Sequence, residues 1–425
     1  MAHESPAVNP PLRRREVWAW CGYDFANSAF PTLIVTVAYS VYFKNVVVPE
    51  TLRASGDLLW GLSLSTSMVL VVLSTPVLGA LADRAAHKRR YLLFYTLLCV
   101  AATAALAGVG PGEVAAGIGL FLVANVGFES ALVFYNAFLP SVAPPAYRGR
   151  VSGWGYGVGY VGGLLCLVLA LPLLGGGFGA ENLPAFRASF PLVAAFYLVF
   201  SLPTFLWVPE REGRREAGTS LLRAAEEVLR TLRSLGRDRE LLRFLAAFFL
   251  YSNAVITVIA FSSLYAVNTL GFSMQEVLYL FISIQLAAGV GAWALGHVGD
   301  RLGLRRTLEG TLWNWCFVVV LAYVSPNKET FWVAGLLAGL SLGSTQSLSR
   351  PLMATFAPPG REAESFSYYG ICGKVSSILG PTVFGLTSTL TGSQRTAILS
   401  VLFFFGAGLL LLRGVGERGR ETEAS

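Results

Sequence analysis

The chain has 425 residues, of which 54% are hydrophobic and only 13% are charged, and its formal net charge is +7. Ordinary soluble domains carry about 25% charged residues, so this composition excludes a soluble globular protein and favours one that spans a membrane. The three histidines and the five dispersed cysteines, none of them in a CxxC pair, offer no recognisable ligand set. We therefore expect no metal and no cofactor.

Apolar stretches of about 20 residues, each long enough to cross a ~30 Å hydrocarbon core, recur along the whole chain. Nearly every gap between them holds Pro, Gly or charged residues, so the sequence predicts an all-α membrane protein with twelve spans. The predicted spans are roughly Val17–Phe43, Leu58–Ala82, Tyr91–Val109, Val114–Leu139, Val151–Leu174, Ala185–Val208, Leu241–Asn268, Gln275–His297, Thr307–Val324, Thr330–Met353, Phe366–Leu390 and Thr396–Leu412.

Lysine and arginine residues are distributed unevenly between alternate loops. With a cytoplasmic N-terminus, 26 of the 32 basic residues fall in cytoplasmic loops and tails, and 5 fall in the loops outside. Short positively charged loops stay in the cytoplasm, so both termini are predicted to be cytoplasmic and the plasma (inner) membrane is the expected location. The positive charge then faces the anionic leaflet and gives no argument for nucleic acid. We expect a monomer in the lipid bilayer.

One short pattern occurs twice in the chain, with its two copies 217 residues apart. Gly79–Arg84 reads GALADR and Gly296–Arg301 reads GHVGDR, and a basic loop follows each of them. A second echo, Ala-Pro-Pro at 143–145 and at 357–359, has a similar offset of 214 residues. Such repetition is typical of transporters built by duplication. It predicts a six-span bundle in residues 1–208, a linker in 209–240 and a second six-span bundle in 241–425.

The predicted linker carries apolar residues at helical spacing between Leu221 and Leu235, with arginines among its polar positions. This pattern is typical of a basic amphipathic helix that lies on the cytoplasmic leaflet. A helix that only packs on the cytoplasmic loops fits the pattern equally well.

Few ionisable residues fall inside the predicted spans. Asp24 lies in span 1, Glu129 in span 4 and Lys374 in span 11, and Arg350 lies near the cytoplasmic end of span 10. A charged side chain at the centre of the bilayer costs about 2.5–3.5 kcal/mol on insertion scales. These four residues are therefore expected to face the interior of the protein.

Glu129 lies near the middle of span 4, on the same helix as Asn125 and Asn136. At 100° per residue the three side chains point to within about 40° of one another. Such a stripe needs water or polar partners, so it predicts a cavity near the midplane in which Glu129 carries a proton. The alternative is a carboxylate that the two Asn residues or a cross-helix pair hold in place, without a functional role.

Asp24 lies about two turns into span 1, on the face that also carries Asn27 and Pro31. Pro31 removes a backbone donor, and carbonyl groups freed at membrane depth are tolerated only beside protein or water. An irregular helix that lines a pathway is therefore predicted. The alternative places Asp24 close enough to the cytoplasm to be solvated or to pair with residues Arg13–Arg15.

Lys374 in span 11 needs a partner or the loss of its proton. It lies about as deep as Asp24, which predicts a salt bridge between the two halves; a substrate carboxylate is the alternative partner. Polar side chains also occur in spans 7 and 10, where Asn253 and Gln346 are the candidates for the same cavity.

Two glycine series at four-residue spacing predict close helix packing rather than a binding role. They are Gly155, Gly159 and Gly163 in span 5, and Gly335, Gly339 and Gly343 in span 10.

The repeated Gly-x-x-x-Asp-Arg pattern with trailing basic residues resembles the signature loop of the major facilitator superfamily. The resemblance implies the major facilitator fold, in which twelve transmembrane helices form two pseudo-symmetric six-helix bundles and spans 1, 4, 7 and 10 line a central cavity. It also implies that Asp83 with Arg84, and Asp300 with Arg301, brace the cytoplasmic gate. Arg350, at the same end of span 10, is assigned to this gate as well.

Further stretches resemble one branch of that superfamily, which contains the fungal autophagy-related vacuolar amino-acid effluxers and many bacterial relatives. They are Tyr23–Phe30, Asn136–Pro140, Arg150–Tyr156, Gln346–Arg350 and Gly373–Pro381. The resemblance covers essentially the whole chain. It implies a secondary transporter that exports a small polar solute by alternating access, with amino acids as the first candidates and protons as the coupling ion.

One departure from that branch bears on the coupling. Asn253 stands where the resemblance leads us to expect an Asp in span 7. We therefore expect Glu129 or Asp24 to carry the proton, or else transport that is not coupled to protons. A transport-inactive sensor or scaffold is a further alternative. A membrane-embedded enzyme would need a nucleophile or a metal set at depth, and none is evident.

Overall fold

The computed structural model describes residues 13–84, 88–144, 147–210, 239–356 and 362–416. These residues form helices and short connections, and the predicted linker helix between Leu221 and Leu235 lies outside them. The long helices are α1 (Arg14–Asn27), α2 (Gly56–Arg84), α3 (Lys88–Ala105), α4 (Val114–Asn136), α5 (Arg148–Leu174), α6 (Leu183–Trp207), α7 (Arg239–Leu270), α8 (Met274–Leu302), α9 (Leu304–Val324), α10 (Lys328–Phe356), α11 (Glu362–Thr391) and α12 (Gln394–Arg413).

Within the described ranges, ten helical segments are long and apolar enough to cross a membrane. The helices α10 and α11 are not among these ten, but they occupy the places predicted for spans 10 and 11. Their polar residues, which lower the hydropathy of each helix, form much of the site described below. The helix order is thus consistent with the twelve predicted spans.

The first span departs most from a regular α-helix. After α1 ends at Asn27, the chain continues through π-helical turns at Phe30–Val37 and Phe43–Val47. Pro31 lies at the start of the first π segment, and its carbonyl accepts a hydrogen bond from Thr36 Oγ1 at 2.9 Å. The irregular backbone predicted around Pro31 is therefore present. π turns inside helices are frequent at functional sites.

The helices α1 to α6 pack together as a first bundle, and α7 to α12 pack as a second. The two predicted glycine faces serve close packing in both bundles. A Cβ atom at Gly159 of α5 would lie 2.8 Å from Ser28 Oγ at the end of α1, and one at Gly343 of α10 would meet the backbone carbonyl of Ala288 in α8. Larger side chains at these positions would force the helices apart.

The two bundles meet mainly where α2 packs along α11, and also where α5 packs on α8. We call the side on which α2 and α8 end the inner side, and the opposite side the outer side. In the outer half of this interface, Gly61 lies directly against the carbonyl of Pro381, and a Cβ at Gly385 would come within 2.6 Å of the backbone oxygen of Asp57. Backbones this close leave no room for a solute, so the outer side is closed.

Candidate functional site between the two bundles

A half-buried ion pair joins the bundles. Lys374 Nζ on α11 lies 2.7 Å from Glu129 Oε2 on α4. The two side chains are 23% and 21% exposed, so the pair borders an open space and is not sealed in a core. The sequence led us to expect Asp24 as the partner of Lys374, but the partner is Glu129. The prediction of a bridge between the two halves agrees with this geometry.

Asp24 lies on α1 and is half-buried. Its Oδ2 accepts a hydrogen bond of 2.7 Å from the hydroxyl of Tyr135 on α4. Trp20 stacks on the Tyr135 ring, with 4.5 Å between ring centroids, and its indole N–H donates to the Tyr135 carbonyl at 3.2 Å. Arg13 pairs with Glu16 instead of Asp24. Asp24 is therefore oriented by an aromatic pair within the first bundle, and the alternative pairing with the N-terminal arginines is not seen for Arg13.

Two polar contacts cross between the bundles on the inner side of this ion pair. Arg350 Nη1 on α10 donates to Ser152 Oγ on α5 at 2.6 Å. One turn earlier on α10, Gln346 Oε1 accepts a hydrogen bond of 2.7 Å from the hydroxyl of Tyr160 on α5. Arg350 and Gln346 are both exposed. The inner half of the interface is thus lined by polar side chains around accessible space, whereas the outer half is buried.

Tyr156 on α5 shows that these charges surround one space. Its side chain is 59% exposed, although it lies on a helix that contacts both bundles. Tyr156 lies one turn from Ser152 and from Tyr160, the α5 residues that contact Arg350 and Gln346. A Cβ atom added at the neighbouring Gly155 would lie against Asp24 Oδ2. Asp24 of the first bundle and Arg350 of the second therefore both lie beside the segment of α5 that carries Tyr156. Together with the Glu129–Lys374 pair, the site presents two positive and two negative side chains.

Two of the predicted cavity residues, Asn125 and Asn253, are buried inside one bundle. Asn125 is buried, and its amide donates to Ser67 Oγ of α2 at 2.7 Å, because α2 covers this face of α4. Asn136 is the exposed last residue of α4, at its inner end. The expectation that Asn125, Glu129 and Asn136 form one stripe facing a cavity was wrong: one helix face can meet a neighbouring helix, a partner charge and solvent along its length.

Asn253 is fully buried and holds two helices of the second bundle together. Its amide donates to the Phe249 carbonyl at 2.8 Å, and its Oδ1 accepts from the Gly380 N–H at 2.7 Å. Gly380 immediately precedes Pro381, which lies inside α11 and has no N–H group to donate. Both polar ends of Asn253 are thus used in structure, and its placement in the cavity, expected from the sequence, was wrong.

Asn27 lies on α1 one turn closer to the outer side than Asp24 and is 5% exposed. Its Nδ2 has no hydrogen-bond partner within the described part of the chain. A buried amide donor without a partner costs about 1–3 kcal/mol, so such a group is typical of a place that water or a ligand completes.

The predicted gate residues are only partly described. Gly79, Asp83 and Arg84 lie in the last turns of α2, and Asp300 and Arg301 lie in the last turn of α8. The side chains of Asp83, Arg84 and Asp300 lie outside the described part of the structure. Arg301 is exposed. At Gly296 an added Cβ would meet no atom within 4 Å. The gating role of this pattern stays a prediction.

Sequence reasoning missed four residues of the site: Tyr135, Ser152, Tyr156 and Tyr160. A signal was present in the glycine series of α5, since Tyr156 and Tyr160 each follow a glycine of that series and therefore share one helix face. Because this face lies beside the glycines that pack on α1, the two tyrosines of α5 point to the space between the bundles.

Comparison with known proteins identifies the family. The profile of the family described as "Vacuole effluxer Atg22 like" matches residues 58–424. The chain belongs to this family. It is also 28% identical over 405 residues to a protein of Bacillus subtilis (strain 168) named "Uncharacterized MFS-type transporter YxiO", an alignment that covers 94% of each chain.

The fungal members of this family are longer. The chain is 27% identical over 306 residues to "Autophagy-related protein 22-1" of Penicillium rubens. This alignment covers 65% of this chain and 50% of the fungal protein. The chain thus spans about half the length of that relative.

Solved structures show the same fold. The crystal structure of a D-xylose-proton symporter superposes with a TM-score of 0.73 at 15% identity, over 95% of this chain and 98% of that one. A bacterial homolog of the human lysosomal transporter Spinster, in an inward-facing and unoccupied conformation, gives 0.70 at 14% identity, over 96% and 98%. These structures show that the protein has the major facilitator fold. Its membership of the effluxer family and its similarity to an MFS-type transporter along almost the whole chain make it an integral, multi-pass transporter, not an enzyme.

Proposed function

We propose that this protein is a proton-coupled secondary transporter that exports a small zwitterionic solute, with amino acids as the first candidates, across the plasma membrane. Both termini face the cytoplasm in this proposal, so the inner side of the structure is cytoplasmic. The observation that carries the proposal is the ion pair between Glu129 and Lys374. It connects the two bundles near the midplane, where alternating access requires them to move against each other.

The charges around the central space support a zwitterion as the substrate. Asp24 belongs to the first bundle and Arg350 to the second, and both lie beside the segment of α5 that carries Tyr156. An ammonium group complements Asp24, while a carboxylate complements the planar guanidinium of Arg350, which can bind it through two parallel hydrogen bonds. A solute that carries both groups would contact both bundles at once. A sugar or another neutral solute would leave these charges uncompensated.

The ion pair supports coupling to protons. When Glu129 takes up a proton, its attraction for Lys374 is lost, and the tie between α4 and α11 is released. When the proton leaves, the pair forms again and draws the bundles together at this level. Protonation of one carboxylate is then linked to the relative position of the bundles, which is the requirement for coupling.

The test is transport by the purified protein in proteoliposomes, with labelled amino acids and with or without an imposed pH gradient. Glu129→Gln keeps the shape of the side chain but cannot ionise. We expect this variant to bind solute and to lose accumulation driven by the pH gradient. We expect Asp24→Asn to weaken the binding of solutes that carry an ammonium group.

The structure offers a matched control in a second ion pair of the same length. Glu276 Oε2 on α8 lies 2.7 Å from Lys328 Nζ at the start of α10, and both residues belong to the second bundle. Glu276→Gln should therefore leave gradient-driven transport unchanged. A Glu129→Gln variant that concentrates the solute with wild-type pH dependence would contradict the coupling role. If the wild-type protein moves no amino acid, either with or without the pH gradient, the proposed class of solute is contradicted.

A further inference from the structure

A second buried acid lies at the closed outer side, away from the central site. Asp57 is in the first turn of α2 and is 2% exposed. Its Oδ1 lies 2.5 Å from Nζ of Lys44, which is 9% exposed and belongs to the same bundle. The pair is therefore as well shielded from solvent as the aromatic core around it.

The remaining hydrogen bonds of Asp57 come from the other bundle. Ser388 Oγ on α11 donates to Oδ2 at 2.6 Å, and the Gln394 amide at the start of α12 donates to both carboxylate oxygens at 3.0 and 2.9 Å. Thr269 Oγ1 donates to Gln394 Oε1 at 2.7 Å, which orients the amide towards Asp57. One carboxylate thus accepts hydrogen bonds from three side chains, two of which belong to the opposite bundle.

The division of partners between the bundles is what a reversible contact requires. If the outer side opens, Lys44 stays with Asp57 because both belong to the first bundle, so no charge loses its counter-ion. Only the neutral donors Ser388 and Gln394 withdraw, and water can replace them. A buried ion pair split between the bundles would instead leave two unpaired charges, at a cost of several kcal/mol.

Other outer contacts between the bundles are made by neutral groups. Trp60 Nε1 donates to the Ala260 carbonyl at 3.1 Å, and Ser65 Oγ donates to the Ile378 carbonyl at 2.6 Å. Hydrogen bonds to an ionised acceptor are about twice as strong as those between neutral groups. Asp57 therefore contributes more than these neutral contacts to holding the outer side closed.

We propose that Asp57 is the latch of the outer gate, and that Ser388 and Gln394 are the positioning residues that it releases when the transporter opens outward. The latch does not depend on the substrate or on the coupling ion. It would close the outer side for any solute that the protein moves by alternating access.

The test measures how fast a membrane-impermeant thiol reagent modifies single reporter cysteines, with no substrate and no pH gradient. The reporters are introduced into protein whose five native cysteines, all free thiols, have been changed to Ser. The outer reporter is Ser40→Cys; Ser40 is fully buried, with its Oγ 3.3 Å from Ser263 Oγ across the bundle interface. The inner reporter is Tyr156→Cys. The test variant combines Ser388→Ala with Gln394→Leu, so that Asp57 and Lys44 remain paired.

We expect the variant to raise the outer labelling rate at least about tenfold, since the loss of even one hydrogen bond to a charged group is worth roughly 1.5 kcal/mol or more. The inner rate should stay the same or fall, because the two sides open alternately. Unchanged outer labelling would overturn the proposal. A rise at both reporters would also overturn it, because that result indicates general loosening of the fold.

Two further variants complete the design. Lys328→Met removes the pair with Glu276, which is also at the outer end but lies within one bundle, and it should leave the outer rate at the wild-type value. Thr269→Val removes only the group that orients the Gln394 amide, so it should give a rise smaller than that of the double variant. A response to Lys328→Met as large as that of the double variant would contradict the latch.

Discussion

The ion pair between Glu129 and Lys374 makes a quantitative prediction about stability. Lys374→Met removes one partner and leaves a carboxylate without its counter-ion between the bundles. Glu129→Gln, introduced alone, leaves the ammonium group unpaired, while the double variant replaces both charges with neutral groups. We expect each single variant to lower the free energy of unfolding, and the double variant to lose less than the sum of the two.

The magnitude follows from the burial of the pair. Breaking a fully buried pair by removing one partner costs about 3–5 kcal/mol. These side chains keep 23% and 21% of their surface exposed, so water compensates part of the loss. We therefore expect about 2–3 kcal/mol for each single variant and a coupling energy of about 1–2 kcal/mol, within the range measured for residues in contact.

The assay is reversible unfolding in mixed micelles for the wild type, the two single variants and the double variant. The pair Glu276–Lys328 provides the comparison, because its N–O distance is also 2.7 Å but its side chains are 39% and 37% exposed. A pair of that exposure is expected to couple by less than about 1 kcal/mol. If the changes at Glu129 and Lys374 were additive to within about 0.5 kcal/mol, the pair would not be formed in the folded protein and the argument would fail.

Two further predictions concern other parts of the chain. Asn253→Leu should lower the free energy of unfolding by about 1–3 kcal/mol, because it leaves the Gly380 N–H buried without an acceptor; wild-type stability in the same unfolding assay would show that this hydrogen bond is not needed. Asp83→Ala should weaken the contacts that close the inner side, since the resemblance places this acid at the gate. The labelling rate of the Tyr156→Cys reporter from the inner side should then rise, and an unchanged rate would argue against a gating role.

Much of the fold is evident in local sequence features. The number and order of the spans depend on the length of each apolar stretch, which must match the thickness of the bilayer whatever the neighbouring helices do. The glycine series were also interpretable from the sequence, because four-residue spacing places Gly335, Gly339 and Gly343 on one face of any helix. Pro31 likewise predicted an irregular first span, since a missing N–H affects its own helix.

The site was predicted only in part. Asp24, Glu129, Lys374, Arg350 and Gln346 were chosen because polar groups at membrane depth are costly. Glu129 pairs with Lys374 across the bundles, and Arg350 and Gln346 contact α5 of the first bundle. Asp24 is bonded within the first bundle, to Tyr135. The same rule selected Asn125 and Asn253, which satisfy their hydrogen bonds inside one bundle. The cost of burial shows that a polar side chain needs a partner, but it does not show whether that partner is a neighbouring helix, a substrate or water.

Only the tertiary structure determined the pairings. Glu129 and Lys374 are 245 residues apart, and Asp57 and Gln394 are 337 residues apart. Helical periodicity gives the direction of a side chain relative to its own axis, but the rotation and depth of one helix against another depend on how all twelve helices pack. The apolar stretches therefore determined that this chain spans the membrane, and the repeated patterns determined that it does so as two related bundles. The contacts between the bundles, on which alternating access depends, were decided by packing.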